Sequence, residues 1–199
     1  MVTQRITFLA VLAFSLQVPP SLVDTARRNG GTAVLNIDFN SPIGELRDLT
    51  AKSAVIVRGI VRVVTTRLAD DESKVMTEYK IVPNKFYKGS FAGPTTRPGM
   101  TAPLIAQHAG GTLEFDNLHL QTVVDELPEK ETLSKGEEVV LFLSAVDPGR
   151  FQLTGGPFGA FRVADGSVTA MTKSAARRRH DKPMTIGEFE QELHRRLPK

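Results

Sequence analysis

The sequence predicts a mainly β protein: a Greek-key antiparallel barrel with a short helix before it and an amphipathic helix after it. Between residues 54 and 171, apolar and polar side chains alternate in short runs, the period of a half-buried strand. Turn residues separate these runs, and no crossover helices do, which favours an antiparallel barrel over a parallel sheet. The run Val139–Leu143 is apolar without alternation, so it predicts a central strand covered on both faces.

The first two strands form a predicted hairpin around Asp70–Asp71. Gly59 lies in the first strand, where we expect a bend or a close backbone approach. If the turn is centred on Asp70, Arg62 faces Glu78 as a surface pair and Val61 faces a buried Tyr79. The apolar face of the first strand is predicted to consist of Val55, Val57, Val61 and Val63.

Later runs predict further strands, giving about six to eight in total. Leu104–Gln107 is expected to be a strand that ends at Gly110–Gly111, and a second strand region is interrupted near Asp116–Asn117. The dipeptide Asp165–Gly166 is typical of a tight hairpin turn. These turns divide the predicted barrel into short antiparallel segments.

Two helices are expected to flank the barrel. Ser41–Pro42 has the pattern of a helix start, and the apolar spacing continues to about Lys52. Thr185 and Glu188 form a capping box, after which Ile186, Phe189, Leu193 and Leu197 make one apolar stripe. We therefore assign residues 27–172 to the barrel with its preceding helix, 173–184 to a basic linker, and 185–199 to a helix that packs on the barrel.

Residues 1–26 are interpreted as a signal peptide or N-terminal anchor plus leader. Residues 6–18 carry no charge and follow Arg5, and this run is shorter than the about 20 residues of a membrane span. Cleavage is possible after Ser15 or after Ala26. The alternative to a signal peptide is that this run forms a buried first helix or strand of the domain. We expect export to the periplasm or outside the cell, with membrane contact only through an uncleaved N-terminal segment.

The composition limits the chemistry of the chain. Of 199 residues, 41% are hydrophobic and 24% are charged, which excludes a wholly disordered chain and a multispan membrane protein. The absence of Cys excludes disulfides, thiolate metal sites and thiol nucleophiles. A formal charge of +3 is too small to indicate nucleic acid or a membrane surface as a partner.

No set of catalytic, cofactor-binding or metal-binding residues is evident, so we do not expect an enzyme and predict no cofactor. The four histidines have no metalloprotease spacing, and Gly89–Gly93 lacks the nucleophile-elbow pattern. The alternative is a hydrolase-like or metal-dependent enzyme whose site is assembled from scattered residues such as His108, Asp116 and His119.

A binding role is the remaining class. Basic and aromatic residues cluster at Lys85, Phe86, Tyr87 and Lys88, and Phe158 lies in a Gly-rich loop. Such residues could stack and hold a single-stranded nucleic acid on an OB barrel, which is the second alternative. An exported protein meets little nucleic acid, so we expect a protein or an envelope ligand as the partner.

A series of turn and core motifs runs through the middle of the chain, at Val57–Val61, Phe86–Gly89, Gly110–Gly111, Gly136–Leu143 and Gly159–Val163. This series resembles that of uncharacterised bacterial exported proteins. The resemblance covers roughly residues 41–172 and implies an OB-like Greek-key antiparallel barrel similar to the netrin/TIMP-like module. Inhibitors of that wider group reach a protease zinc ion with an N-terminal Cys, which this chain lacks. The resemblance therefore implies a fold and no mechanism.

Overall fold

The computed structural model describes residues 21–37, 45–91, 102–124, 132–147, 149–171 and 183–197. Its helices are α1 (Leu22–Arg28), α2 (Leu46–Lys52), α3 (Ile186–Arg196) and a 3₁₀ turn at Gly156–Gly159. Its strands are β1 (Thr32–Ile37), β2 (Val55–Leu68), β3 (Val75–Lys88), β4 (Leu104–Ala109), β5 (Gly111–Phe115), β6 (Leu118–Val124), β7 (Glu138–Asp147), β8 (Arg150–Leu153), β9 (Ala160–Ala164), β10 (Ser167–Ala170) and β11 (Met184–Thr185). The predicted mainly β class is confirmed.

Strands β2, β3, β4, β8 and β7 form the OB-like barrel. β2, β3 and β4 are antiparallel neighbours, β4 pairs in parallel with β8, and β7 pairs antiparallel with both β8 and β2. The barrel order agrees with the predicted Greek-key arrangement. The parallel pair of β4 with β8 departs from the wholly antiparallel sheet that was predicted. The sheet is barrel-like and not closed, because β7 pairs with β8 along only part of its edge and with β9 along the rest.

A smaller sheet of β1, β6 and β5 lies beside the barrel. Asp116 and Asn117 join β5 to β6 with positive φ angles of 50° and 59°, so the predicted interruption is a tight turn. Helix α1 begins at the N-cap Ser21 and packs on this sheet through Leu22, Val23 and Ala26. Neither α1 nor β1 was predicted, and α1 crosses the expected leader boundary at residue 26; residues 1–20 lie outside the described residues.

Strand β7 separates two apolar cores. Val139, Leu141 and Leu143 belong to the core inside the barrel. Val140 and Phe142 belong to a second core on the outer face, which α3 covers. All five side chains are fully buried, which confirms the predicted central strand.

Helix α3 packs on the barrel as expected. Its capping box is present, since the Thr185 hydroxyl accepts from the Glu188 amide at 3.3 Å and Glu188 accepts from the Thr185 amide at 2.8 Å. Phe189 and Leu193 are fully buried, and the Phe189 ring lies 5.2 Å from the ring of Phe161. Residues 173–182 of the expected linker lie outside the described residues, and Met184–Thr185 pair with β10 as strand β11.

The short helix before the barrel is confirmed, but it is described only from Leu46. Its predicted start at Ser41–Pro42 lies outside the described residues. Leu49 of this helix is fully buried in the outer core. None of the helices within the described ranges has the length and apolar character needed to cross a membrane.

The predicted pairing of Arg62 with Glu78 is wrong. Glu78 faces Thr65 across the hairpin and forms an ion pair with Arg67. The turn spans residues 69–74, with Leu68 opposite Val75, so its centre lies beyond Asp70 and the register is displaced. Tyr79 is fully buried as predicted, but its cross-strand partner is Val64.

A bulge at Arg62 also interrupts the predicted apolar face. Val61 pairs with Ile81 and Val63 pairs with Lys80, so Arg62 is an extra residue in β2. Beyond the bulge the alternation changes phase: Val63 is 38% exposed, and Val64 packs on the barrel core. The other three predicted positions, Val55, Val57 and Val61, are buried.

Replacing Gly59 with alanine tests the close approach predicted at this position. An added Cβ would lie 2.6 Å from the carbonyl oxygen of Val82 and 2.7 Å from Cγ2 of Ile81, so the hairpin must shift. We expect Gly59→Ala to lower the free energy of unfolding by about 1–3 kcal/mol in urea titrations. The matched control Gly187→Ala meets no atom within 4 Å and lies in α3, so it should raise stability by up to about 1 kcal/mol. Equal effects of the two variants would contradict the steric explanation.

Candidate binding cleft

A cleft of about 380 Å³ opens where the β2–β3 turn and β4 meet the β7–β8 turn. In OB barrels the ligand lies on the face of the second and third strands, between the loop joining strands one and two and the loop joining strands four and five. If β2 is counted as strand one, the second and third strands are β3 and β4, and the two loops are the β2–β3 turn and the β7–β8 turn. The lining residues are Arg67, Ala69, Asp70, Asp71, Lys74, Met76, Gln107, Ala109, Val146, Asp147, Arg150 and Gln152.

Arg67 forms the rigid inner part of the cleft. Its Nε donates to Glu78 Oε1 at 2.5 Å, and its Nη2 donates to Gln107 Oε1 at 3.2 Å. Its Nη1 donates to the Leu68 carbonyl and to Asp70. The hydrogen bond that Arg67 donates to Glu78 is the main cause that raises the pKa of Arg67, which stays charged. These contacts use four of the five N–H groups of Arg67 within the protein.

The outer part of the cleft holds charges that are less engaged. Arg150 contacts Glu78 Oε1 through Nη1 at 3.5 Å, and its side chain is 42% exposed. Within the described ranges, the side chains of Lys74 and Asp147 form no hydrogen bond or ion pair with another residue. Asp71 differs, because the Ser73 hydroxyl and amide hydrogen-bond its carboxylate and lower its pKa. Arg150, Lys74 and Asp147 are thus the charges available to a ligand.

The composition of the lining limits what the cleft can do. The lining residues comprise three cations, Arg67, Lys74 and Arg150, and three anions, Asp70, Asp71 and Asp147. They include no aromatic residue, hydroxyl, thiol or imidazole. This set can bind a polar ligand of mixed charge, and it supplies no aromatic stacking surface.

The basic and aromatic residues predicted as a ligand site lie elsewhere and contact the helices. Lys85 Nζ lies 2.9 Å from Glu190 Oε2, and the Tyr87 hydroxyl donates to Glu190 Oε1 at 2.6 Å. Lys88 donates to the Thr50 carbonyl at 2.8 Å, near the C-terminus of α2, where the helix dipole favours a cation. These contacts attach α3 and α2 to the barrel.

Hydrogen bonds and burial shift the pKa values of the groups that join α3 to the barrel. The hydrogen bonds from Tyr87 and Lys85 lower the pKa of Glu190, with Tyr87 the larger cause. Burial, followed by the bond to Glu190, raises the pKa of Tyr87. Arg58 lies beside the pair and is held by two hydrogen bonds to Glu138, at 2.9 and 3.1 Å.

The two predicted phenylalanines lie partly or fully in the interior. Phe86 is half-buried and packs on the barrel core. Phe158 is fully buried in the 3₁₀ turn between β8 and β9. Neither belongs to the lining of the cleft.

The structure does not bring His108, Asp116 and His119 together as a metal site. Among the described residues, no three His, Asp or Glu side chains are placed to hold a metal ion. His119 is exposed and contacts Glu114, and Asp116 forms an exposed ion pair with Arg27 at 3.6 Å. His108 is buried in the fold instead.

His108 forms a buried polar pair with Tyr79. The His108 Nδ1 lies 2.6 Å from the Ala109 carbonyl, which can only accept, so Nδ1 carries the proton. The neutral ring then accepts the Tyr79 hydroxyl at Nε2, 2.8 Å away. Burial lowers the pKa of His108 and raises the pKa of Tyr79. The pair is therefore neutral and hydrogen-bonded within the barrel.

Sequence reasoning did not find the cleft residues. Asp70–Asp71 was recognised as a turn, but the sequence does not show that this turn and the one between β7 and β8 are adjacent in space. Once an OB-like barrel is assumed, the loops between strands one and two and between strands four and five indicate this position. The position of the cleft could therefore have been predicted from the barrel topology together with the charged residues Lys74 and Arg150.

Glu190→Gln tests whether the Lys85 and Tyr87 contacts hold α3 on the barrel. Loss of the carboxylate removes a charge-assisted pair of bonds, so we expect the free energy of unfolding to fall by about 1–2 kcal/mol. The matched control Glu192→Gln removes contacts to Arg195 and Arg196 within the helix and should cost no more than about 0.5 kcal/mol. Equal losses in urea unfolding would show that the contact across elements has no special role.

The pH dependence of stability tests the buried state of His108. Its folded pKa is lowered, so below about pH 6.5 the unfolded chain takes up a proton that the folded chain does not. Between pH 7 and pH 5, stability should fall by up to about 1.4 kcal/mol per pH unit from this group. His108→Gln should flatten the profile, and Tyr79→Phe, which keeps the buried imidazole, should retain the slope. Parallel profiles of wild type and His108→Gln would contradict the assignment.

Comparison with known proteins adds no assignment to this cleft. No protein-family model matches the chain, and no curated protein matches it. The function is therefore argued from the geometry of the described residues.

Proposed function

We propose that the chain is a noncatalytic binding module whose ligand occupies the cleft between the β2–β3 and β7–β8 turns. The observation that carries the proposal is the coincidence of this cleft with the ligand-binding face of an OB barrel. Its volume of about 380 Å³ lies in the range of known ligand sites. The side chains of Lys74 and Asp147, which form no hydrogen bond or ion pair with a described residue, give the cleft polar groups with which to bind.

The proposal includes export of the domain to the periplasm or outside the cell. The uncharged run at residues 6–18 after Arg5 supports a signal peptide or an uncleaved anchor. The resemblance to bacterial exported proteins supports the same location. The ligand is then a protein or another component of the envelope, and membrane contact is limited to the N-terminal segment.

The described residues favour this proposal over a nucleic-acid-binding domain. Single-stranded nucleic acid requires a positive groove and aromatic stacking surfaces. The cleft lining has equal numbers of positive and negative side chains and no aromatic residue. Lys85 and Tyr87, which could supply both features, contact Glu190. A metal-dependent enzyme finds no support in the separate positions of His108, Asp116 and His119.

Amide chemical-shift mapping of the folded domain tests the proposed site. The panel comprises a short oligosaccharide, an oligothymidylate and a mixed-charge tripeptide. We expect at least one polar compound to shift amides in residues 69–76, 107–109 and 146–152. Amides on the outer face of α3 provide the internal control and should not move. Shifts confined to other surfaces, or salt-dependent binding of the oligothymidylate alone, would contradict the proposal.

A further inference from the structure

Opposite charges face each other across the turn that borders the cleft. Asp147 ends β7 and Arg150 begins β8, and the two are cross-strand partners. Asp147 is exposed and makes no side-chain contact with the described residues. Among the described residues, the side chain of Arg150 forms a hydrogen bond or ion pair only with Glu78, through Nη1. Its Nε and Nη2 are the pair of donors that can hold a carboxylate through two parallel bonds. At one edge of the cleft, the Asp147 carboxylate can therefore accept hydrogen bonds and the neighbouring Arg150 guanidinium can donate a pair of them.

Glu78 fixes the direction of Arg150. The Glu78 side chain is only 13% exposed and is held by Arg67, so it is a fixed anchor. Its contact with Nη1 places the Arg150 guanidinium beside the cleft, whose lining includes Arg150 but not Glu78. Lys74, on the β2–β3 turn, adds a second cation to the same cleft. A ligand carboxylate therefore meets two positive groups there.

We propose that the cleft binds a segment of a partner polypeptide that carries one acidic and one basic side chain. The acidic side chain binds Arg150, with Lys74 nearby, and the basic side chain binds Asp147. This proposal rests on the proposed function and names the class of its ligand. No bond is made or broken in the interaction.

The charges of the lining favour this ligand over a polyanion or a polycation. Asp70, Asp71 and Asp147 would repel an extended polyanion, and Arg67, Lys74 and Arg150 would repel a polycation. A ligand with one charge of each sign can satisfy both groups at once. The exposed apolar side chain of Val146 at the same edge can contact the aliphatic part of such a segment.

The test uses the tripeptide acetyl-Glu-Gly-Lys-amide as the probe on the full folded chain. Its capped ends mimic an internal segment, and two variants replace either Glu or Lys with Gln. Amide shifts give the dissociation constant for wild type, Arg150→Gln and Asp147→Asn. Asp147→Asn changes an exposed side chain that forms no hydrogen bond or ion pair with a described residue, so it keeps the test valid if Arg150→Gln unfolds. Arg47→Gln, an exposed change on α2, is the matched control.

We expect each ligand charge to be worth roughly 2- to 5-fold in affinity, as for a partly exposed ion pair. Loss of the peptide Glu should weaken binding to wild type but not to Arg150→Gln. Loss of the peptide Lys should weaken binding to wild type but not to Asp147→Asn. Arg47→Gln should behave as wild type. This pattern would support both contacts as specific pairs.

Three results would overturn the inference. Equal binding of all three tripeptides at the cleft shows that the cleft does not distinguish ligands by charge, and the proposed function then stands. Binding of the oligosaccharide at the cleft, without binding of the tripeptide, also overturns the inference alone. Tighter binding of free-ended trialanine than of the capped probe assigns the cleft to free peptides. If no compound shifts the cleft amides, the proposed function itself fails.

Discussion

The burial of β7 on both faces is the constraint on which the rest of the structure depends. Val139, Leu141 and Leu143 fill the barrel, so Val140 and Phe142 must be covered from outside. Helix α3 supplies that cover through Phe189 and Leu193. The charged contacts of Glu190 with Lys85 and Tyr87 follow from this packing, because they lie where the helix meets β3. The basic and aromatic cluster is therefore part of the fold before it can serve any ligand.

The same strand also determines where the cleft lies. Burial along β7 ends after Leu143, and Ala145, Val146 and Asp147 are exposed. From Leu143 onward the strand pairs with β8, whose first residue is Arg150. The change from an apolar to a polar strand thus marks the point where the barrel core ends and the cleft begins. The first half of β7 packs in the barrel core, and the last residues of β7 line the cleft.

Features that depend on neighbours in the sequence could be predicted, and features that depend on long-range pairing could not. The central strand Val139–Leu143, the Thr185 capping box and the turn at Asp165–Gly166 each carry a local pattern. The register of β2 with β3 does not, because the turn extends to residue 74 and a bulge adds Arg62. The contact of Lys85 with Glu190 joins segments that are distant in the sequence. The local cluster of cations and aromatics was therefore interpreted as a ligand site on the surface. The cleft was missed for the same reason, since its two turns meet only through the barrel order.

The two charged regions differ in what they contribute to stability and to binding. Exposed ion pairs add little to the free energy of folding, typically less than about 1 kcal/mol. The side chains of Asp147 and Lys74 form no ion pair with a described residue, and this costs the fold little because water solvates them. At the α3 contact the carboxylate of Glu190 is largely covered, and its partners are needed to offset the loss of solvation. Charges that the fold needs are thus paired beneath α3, and charges that it does not need remain at the cleft, where a ligand can pair with them.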